Sequence, residues 1–298
     1  MATTSQPESD ATRASSTYAG ARAVLATMHG KQAAIAPVMH DTLGLQVETA
    51  EAINTDALGT FTGEIPRPGS IRETAIAKAR LGMTRTGLPI GLASEGSYGP
   101  HPSIPFVCGG LELMVLVDDT RGIVITEHLV VDAPVYAHAP VSNQVQLATF
   151  FEQTGFPQHA VIVKPNRTDR ATLPVFKGLR SASAVADAVI RCAACSIDQL
   201  AFVQTDMRAH MNPTRMASIA RLAARLCARI ATACPHCAAP GYGQTDIETG
   251  LPCAWCGCPS DLVRHEIFGC VACDHREHRP RPDGLEFADP GRCSRCNP

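Results

Sequence analysis

No apolar stretch in the chain is long enough to cross a bilayer. Runs such as Leu113 to Val117 fall far short of the roughly 20 residues a spanning helix needs. An excess of charge of either sign is missing too: 26 Lys and Arg against 28 Asp and Glu leave a net charge of −2, which gives no global pull toward nucleic acid or membrane. Residues 1–18 are polar and lack an apolar h-region, so a disordered leader is expected rather than a signal peptide. Aromatics make up 5% of the residues, with one tryptophan. Little is therefore available for stacking on bases.

What is present is cysteine. Of thirteen, eight fall in four Cys-x-x-Cys pairs near the C-terminus: Cys234 and Cys237, Cys253 and Cys256, Cys270 and Cys273, Cys293 and Cys296. Fifteen residues separate the first two pairs and nineteen the last two, both compatible with zinc-site spacing. A Cys-x-x-Cys turn aims two sulfurs at one point, and two such turns complete the tetrahedral thiolate shell that Zn2+ prefers. The segment has too few large apolar residues for a core, so metal must supply folding energy. The expectation is two structural Zn2+ ions, with sequential or interleaved pairing left open. Disulfides are the alternative, but nothing suggests secretion, and many thiols in a reducing compartment point to the cytoplasm.

At 298 residues the chain has room for one sizeable domain and a small one. Residues 19–232 read as α/β. A short strand at Arg22–Thr27 breaks at His29-Gly30-Lys31, and Ile35, Val38, Met39 and Leu43 recur at helical spacing. Ser70-Ile-Arg-Glu73 is a capping-box pattern opening a helix to about Thr86. A buried strand over Leu88–Ala93 ends at Ser94-Glu95-Gly96, and strands follow at 111–117 and 122–131. Helices are expected at 144–153 and 181–195, with strands at 159–164 and 199–205. Asn212 caps a helix beginning at Pro213 and running toward Ile230. Alternating elements imply a layered sheet flanked by helices, and residues 233–298 form a tandem zinc-ribbon domain.

Three segments carry the groups a nucleotide site needs, each just past a strand, where α/β sheets collect ligands. In Thr27–Lys31, backbone N–H groups, Gly30 and the Lys31 cation suit a phosphate, as against a plain solvated turn. Glu73 and Glu95 could jointly hold Mg2+ while Lys78 binds phosphate, the alternative being that Glu73 merely caps its helix. Between a strand and a helix start, Asp206, Arg208, His210, Asn212 and Arg215 crowd together, and Arg forks bind phosphate in a bidentate way. The competing reading pairs Asp206 with Arg208 and leaves Asn212 as a cap. Outside these segments, Cys108, Cys192, Cys195 and Cys227 read as structural, while His265, His275 and His278 read as surface residues. Cys258 is a spare thiol beside a zinc shell, and His101 sits beside Glu95 and Tyr98.

Taken in order, Val24-Leu-Ala-Thr27, Lys31, Glu73-Thr-Ala-Ile-Ala-Lys78-Ala, Thr86-Gly-Leu-Pro89 and Ala93-Ser-Glu-Gly96 resemble the inosine/xanthosine triphosphate pyrophosphatases. Thr74 stands where that family has asparagine, and Ser94-Glu95 where it has two aspartates. The resemblance implies a pyrophosphatase-like mixed sheet and Mg2+-dependent cleavage of a nucleotide or related phosphoanhydride. Lys31, Lys78, Arg208 and Arg215 would then hold phosphates. Glu73 and Glu95 would hold the metal, or Glu95 would orient water. The lost acid leaves either altered catalysis or binding without turnover. Through Ser94–Pro102, Thr205–Arg215 and the paired knuckles ending in Cys293-Ser-Arg-Cys296-Asn-Pro, the chain also resembles, across nearly its whole length, an uncharacterised bacterial family of unknown function. The alternative to an enzyme is a nucleotide-sensing protein whose zinc ribbons dock a protein or nucleic acid.

Overall fold

A computed structural model describes residues 17–50, 53–59, 68–100, 108–169 and 174–298. It has five α-helices and three sheets among the described residues. The first sheet grows from strand β1 (Arg22–Leu25), which leads through helix α1 (Gln32–Leu43) to β2 (Gln46–Thr49), and then through α2 (Ile71–Thr86) to β3 (Ile90–Pro100). Both β2 and β3 pair with β1 in parallel, on opposite sides of it. Because crossovers are right-handed, moving one way from β1 and then back past it sends the two helices to opposite faces. The antiparallel strands β4 (Cys108–Asp118) and β5 (Ile123–Val131) extend the sheet, giving the order β2-β1-β3-β4-β5.

The α2 start is the reciprocal box the sequence announces: Glu73 N donates to Ser70 Oγ at 3.2 Å, and Ser70 N donates to Glu73 Oε2 at 2.8 Å. Strand β3 does not stop at Ala93 but continues to Pro100, because β4 pairs with it along its whole length. Ser94 and Glu95 are therefore inside a strand, although they lie beyond the carboxyl end of β1, whose last partner on β3 is Leu92.

A second sheet carries the middle of the chain, with order β6-β9-β7-β8 and all pairs antiparallel. It comprises β6 (His138–Val141), β7 (Val161–Pro165), β8 (Phe176–Leu179) and β9 (Ala201–Thr205). Helices α3 (Gln144–Thr154) and α4 (Ala182–Ala194) cover it around Phe150, Val161, Val163, Val185 and Val203. The front region is thus mixed α/β with two sheets rather than one layered sheet. Strands β6 and β8 escape sequence reading because each is four residues long and proline or glycine interrupts it.

Helix α5 (Pro213–Ala231) returns to the first sheet. Its buried stripe of Ile219, Leu222, Ala223, Leu226 and Ile230 shares one core with Ile35, Met39 and Leu43 of α1. The opposite face of the sheet packs Val24, Ala93 and Val115 on Ala75, Ala79 and Met83 of α2. After α5 comes an antiparallel meander of β10 (Gly243–Thr249), β11 (Val263–Gly269) and β12 (Arg276–Pro280). Arg229 ties it to the first sheet, donating from Nη1 to Thr126 O and Gln244 O, both at 2.9 Å. Gly241 allows the seating: a Cβ there would lie 2.6 Å from Ile125 Cδ1, and its φ of +91° also favours glycine.

Candidate functional site

The meander decides how the cysteines meet. In a three-stranded antiparallel sheet, the loop entering β10 and the loop joining β11 to β12 lie at one end. The β10–β11 loop and the segment after β12 lie at the other. Cys234 and Cys237 therefore join Cys270 and Cys273, while Cys253 and Cys256 join Cys293 and Cys296. The grouping is interleaved, first pair with third and second with fourth. Across the pairs the Sγ atoms are 3.9 Å (Cys234–Cys273), 3.6 Å (Cys237–Cys270), 3.9 Å (Cys253–Cys296) and 3.6 Å (Cys256–Cys293) apart. A tetrahedron with Zn–S of about 2.3 Å has edges of about 3.75 Å. The same separations are far too long for disulfides, and all thirteen thiols are free. The tetrads could hold two metal ions, and their donor set and dimensions fit zinc.

Backbone donors favour the thiolate at one cysteine of each tetrad. Burial pushes the Cys234 thiol up, but the N–H groups of Cys237 and His236 outweigh it and bring it down to about 7. The N–H groups of Cys296 and Arg295 do the same for Cys293, to about 7. Cys258 stays outside both tetrads, accepting from Arg295 Nη1 at 3.3 Å.

A second constellation lies at the carboxyl end of β1, where the chain leaves β1 and β2 toward opposite faces of the sheet. Lys31, the N-cap of α1, is buried and donates from Nζ to Ser94 O at 2.6 Å. Lys78 of α2 pairs with Glu95 at 2.6 Å, both almost fully buried. Arg215 of α5 donates from Nε to Glu112 Oε1 at 2.6 Å and from Nη1 to Met207 O. Tyr98 OH also donates to Glu112, at 2.5 Å. Buried in one region, then, are the cations Lys31, Lys78 and Arg215 and the anions Glu95 and Glu112. Among the described residues of this group, three less two leaves one positive charge over. Lys31 registers that surplus: burial first, then the Arg215 guanidinium, push it down to about 8 against the opposing pull of Glu95 and Glu112.

Two hydroxyls flank this group, Thr74 Oγ1 on the α2 side of the sheet and Ser94 Oγ on the opposite face, and both are buried without a hydrogen-bond partner among the described residues. Such groups normally find one. Thr74 precedes Lys78 by one helical turn and so shares its face. Ser94 bears the carbonyl that holds Lys31.

Not every residue expected at the site is there. Glu73 is exposed and engaged in the capping box, so α2 turns Thr74 rather than Glu73 toward Lys78. Glu73 and Glu95 are not brought together as a Mg2+ pair, and Glu95 is met by Lys78 instead. The fork of Arg208 is taken up by Asp206, with Nε to Oδ1 at 3.0 Å and Nη2 to Oδ2 at 2.6 Å. Asn212 caps α5, accepting from Arg215 N at 2.9 Å. That is the pair-and-cap alternative the sequence left open. His210 stacks on His29 with ring centroids 5.4 Å apart, and burial and then Arg208 lower its pKa. The His210 ring borders an open groove of about 620 Å3, lined also by Ala33, Gln158, Arg180, Pro213 and Met216. Cys192 and Cys227 are core residues, whereas Cys108 is exposed. His101 lies outside the described residues.

Glu112 was missed, yet it had a signal. A lone carboxylate in the otherwise apolar Leu111–Val117 strand needs a buried cation, and Arg215 is that cation.

A family model described as a domain of unknown function, DUF6671, matches residues 78–298. No curated protein matches the chain. Neither comparison supports the pyrophosphatase resemblance. No helix among the described residues is long and apolar enough to cross a membrane.

Proposed function

The chain belongs to the DUF6671 family, and we propose that it binds a phosphate-bearing small molecule of the nucleotide class at the carboxyl end of β1. One observation carries this reading: Thr74 Oγ1 and Ser94 Oγ are buried and unpartnered beside a net-positive group of buried side chains. An anion with several acceptor oxygens answers both features, taking hydrogen bonds from the hydroxyls and balancing Lys31. Crevices at strand carboxyl ends are where α/β sheets collect such ligands. Lys31 and Lys78 keep the phosphate-binding roles the sequence suggested, while Arg215 acts indirectly by holding Glu112.

Binding without turnover fits these residues better than hydrolysis. A phosphohydrolase that used Mg2+ would need carboxylates turned to the metal, and Glu95 and Glu73 are engaged by Lys78 and Ser70. The zinc-type module is a rigid clamp on the sheet through Arg229 and serves as a platform for a partner. Calorimetric titration of the full chain with inorganic phosphate, pyrophosphate and nucleoside mono- and triphosphates tests the proposal. Saturable binding lost in Lys31→Met supports it. A folded protein that binds none of these overturns it, and pyrophosphate release from a triphosphate with Mg2+ would restore hydrolysis.

A further inference from the structure

Away from both tetrads, three side chains on three adjacent strands of the C-terminal sheet converge on one point. His265 Nδ1 lies 2.9 Å from Glu248 Oε2, and His278 Nδ1 lies 3.3 Å from the same oxygen. One donor atom from each of Glu248, His265 and His278 lies within 4.8 Å of the others. The sequence alone reads His265 and His278 as surface residues, because both cysteine sites already have four thiolates, and twelve residues of chain separate the two histidines. Strand pairing removes that separation, placing Glu248 opposite His265 on β11 and His278 opposite Ile267, two residues along the same face.

We propose that Glu248, His265 and His278 form a third metal site, an exchangeable one for a divalent cation of the zinc class, distinct from the two thiolate sites. Two imidazoles and a carboxylate are ligands for borderline first-row cations, and three protein ligands leave a position for water. With metal–ligand bonds of about 2.0–2.1 Å, tetrahedral geometry asks for about 3.35 Å between donors. The His278–Glu248 separation already has that value, and His265 must retreat by a few tenths of an ångström. A register irregularity in β10 falls between Glu248 and Thr249, and bulges of this kind re-aim a side chain.

Strand alternation puts Asp246 and Arg276 on the ligand face, and leaves Arg264 and Arg279 on the opposite face together with Glu266 and Glu277. On binding, each imidazole gives its Nδ1 lone pair to the metal, and any proton there moves to solvent or to Nε2. No electron is transferred. Because the three side chains are partly exposed, this metal would come and go with its free concentration while the cysteine tetrads keep theirs.

Equilibrium dialysis of the full-length protein against Co2+, after a weak chelator has stripped loosely held metal, tests the assignment. Elemental analysis should count two tightly held ions and a third that loads on adding Co2+. The added cobalt should bring weak ligand-field absorption without the sulfur-to-metal charge-transfer band of thiolate sites. His265→Ala and His278→Ala should each abolish the third equivalent and leave the two tight ions in place. Saturation at two ions in the wild type overturns the proposal, as does a third equivalent that survives in both variants.

Discussion

Arg215 Nε donates to Glu112 Oε1 at 2.6 Å across 103 positions of chain, with both side chains wholly buried. The contact joins α5 to the centre of the first sheet, and it has a price at Gly96. That residue lies opposite Glu112 on β3. A Cβ there would come within 2.6 Å of Arg215 Nη2 and 2.8 Å of both Glu112 carboxylate oxygens. Glu112→Ala should therefore lower stability by about 3–5 kcal/mol, since it strands a buried guanidinium. Urea denaturation measures this, and a loss below 1 kcal/mol would contradict the role assigned to the pair. Gly96→Ala should also destabilise, by forcing the guanidinium and carboxylate apart.

The unpartnered hydroxyl of Thr74 makes a prediction of mixed sign. Thr74→Val keeps the shape and removes a buried oxygen that lacks a partner. The ligand-free protein should gain about 1 kcal/mol in stability, because an unsatisfied hydroxyl no longer has to be desolvated. Binding of phosphate should weaken at the same time. Stabilisation with unchanged binding would remove Thr74 from the site.

Lys31 predicts the pH dependence. Its folded value of about 8 lies below the ordinary 10.5, so folding disfavours the charged form by roughly 3 kcal/mol. Between pH 8 and 10.5 the unfolded chain holds more protons at this residue than the folded one, and stability from this group rises with pH. The penalty is complete below pH 8 and gone above 10.5. Lys31→Met lacks it, so the stability of that variant relative to wild type should fall as pH is raised from 8 to 10.5. Phosphate favours the charged amine, and its affinity should decline as pH rises through 8. A difference between the two proteins that does not change over this range would mean that Lys31 is not desolvated.

Local signals were legible in the sequence where one short stretch contains the whole cause. Ser70 and Glu73 lie three apart and form their box, Asn212 caps α5 before Pro213, and the α5 stripe packs as its spacing implies. Charges were not legible where their partners come from distant strands. Lys78 meets Glu95, and Arg215 meets Glu112, only because β3 runs past β1 and α5 crosses back over β4. Sequence spacing alone reads Glu73 and Glu95 as two carboxylates near two strand ends. Helix geometry gives Glu73 to Ser70 and puts Thr74 in its place. Likewise the division of the front region into two sheets depends on β6 and β8, whose four-residue strands carry almost no periodic signal.

Cysteine pairing follows from topology, and substitutions in pairs can read it out. Sequential ligation would put Cys234 and Cys253 in one shell, whereas the meander puts Cys234 with Cys270 and Cys253 with Cys293. Removing Cys234 and Cys270 together damages one interleaved shell and leaves the other complete, so Cys234→Ser/Cys270→Ser should retain one tightly held zinc. Cys234→Ser/Cys253→Ser damages both shells and should retain none. Sequential pairing reverses these two results, so elemental analysis of the two double variants separates the arrangements without a structure of either. Strong chelation of the wild type should unfold the C-terminal sheet, because metal binding there is folding free energy. The first sheet should survive, at the cost of the Arg229 anchorage on Gly241 and Gln244 and of the packing of Val271 against its core.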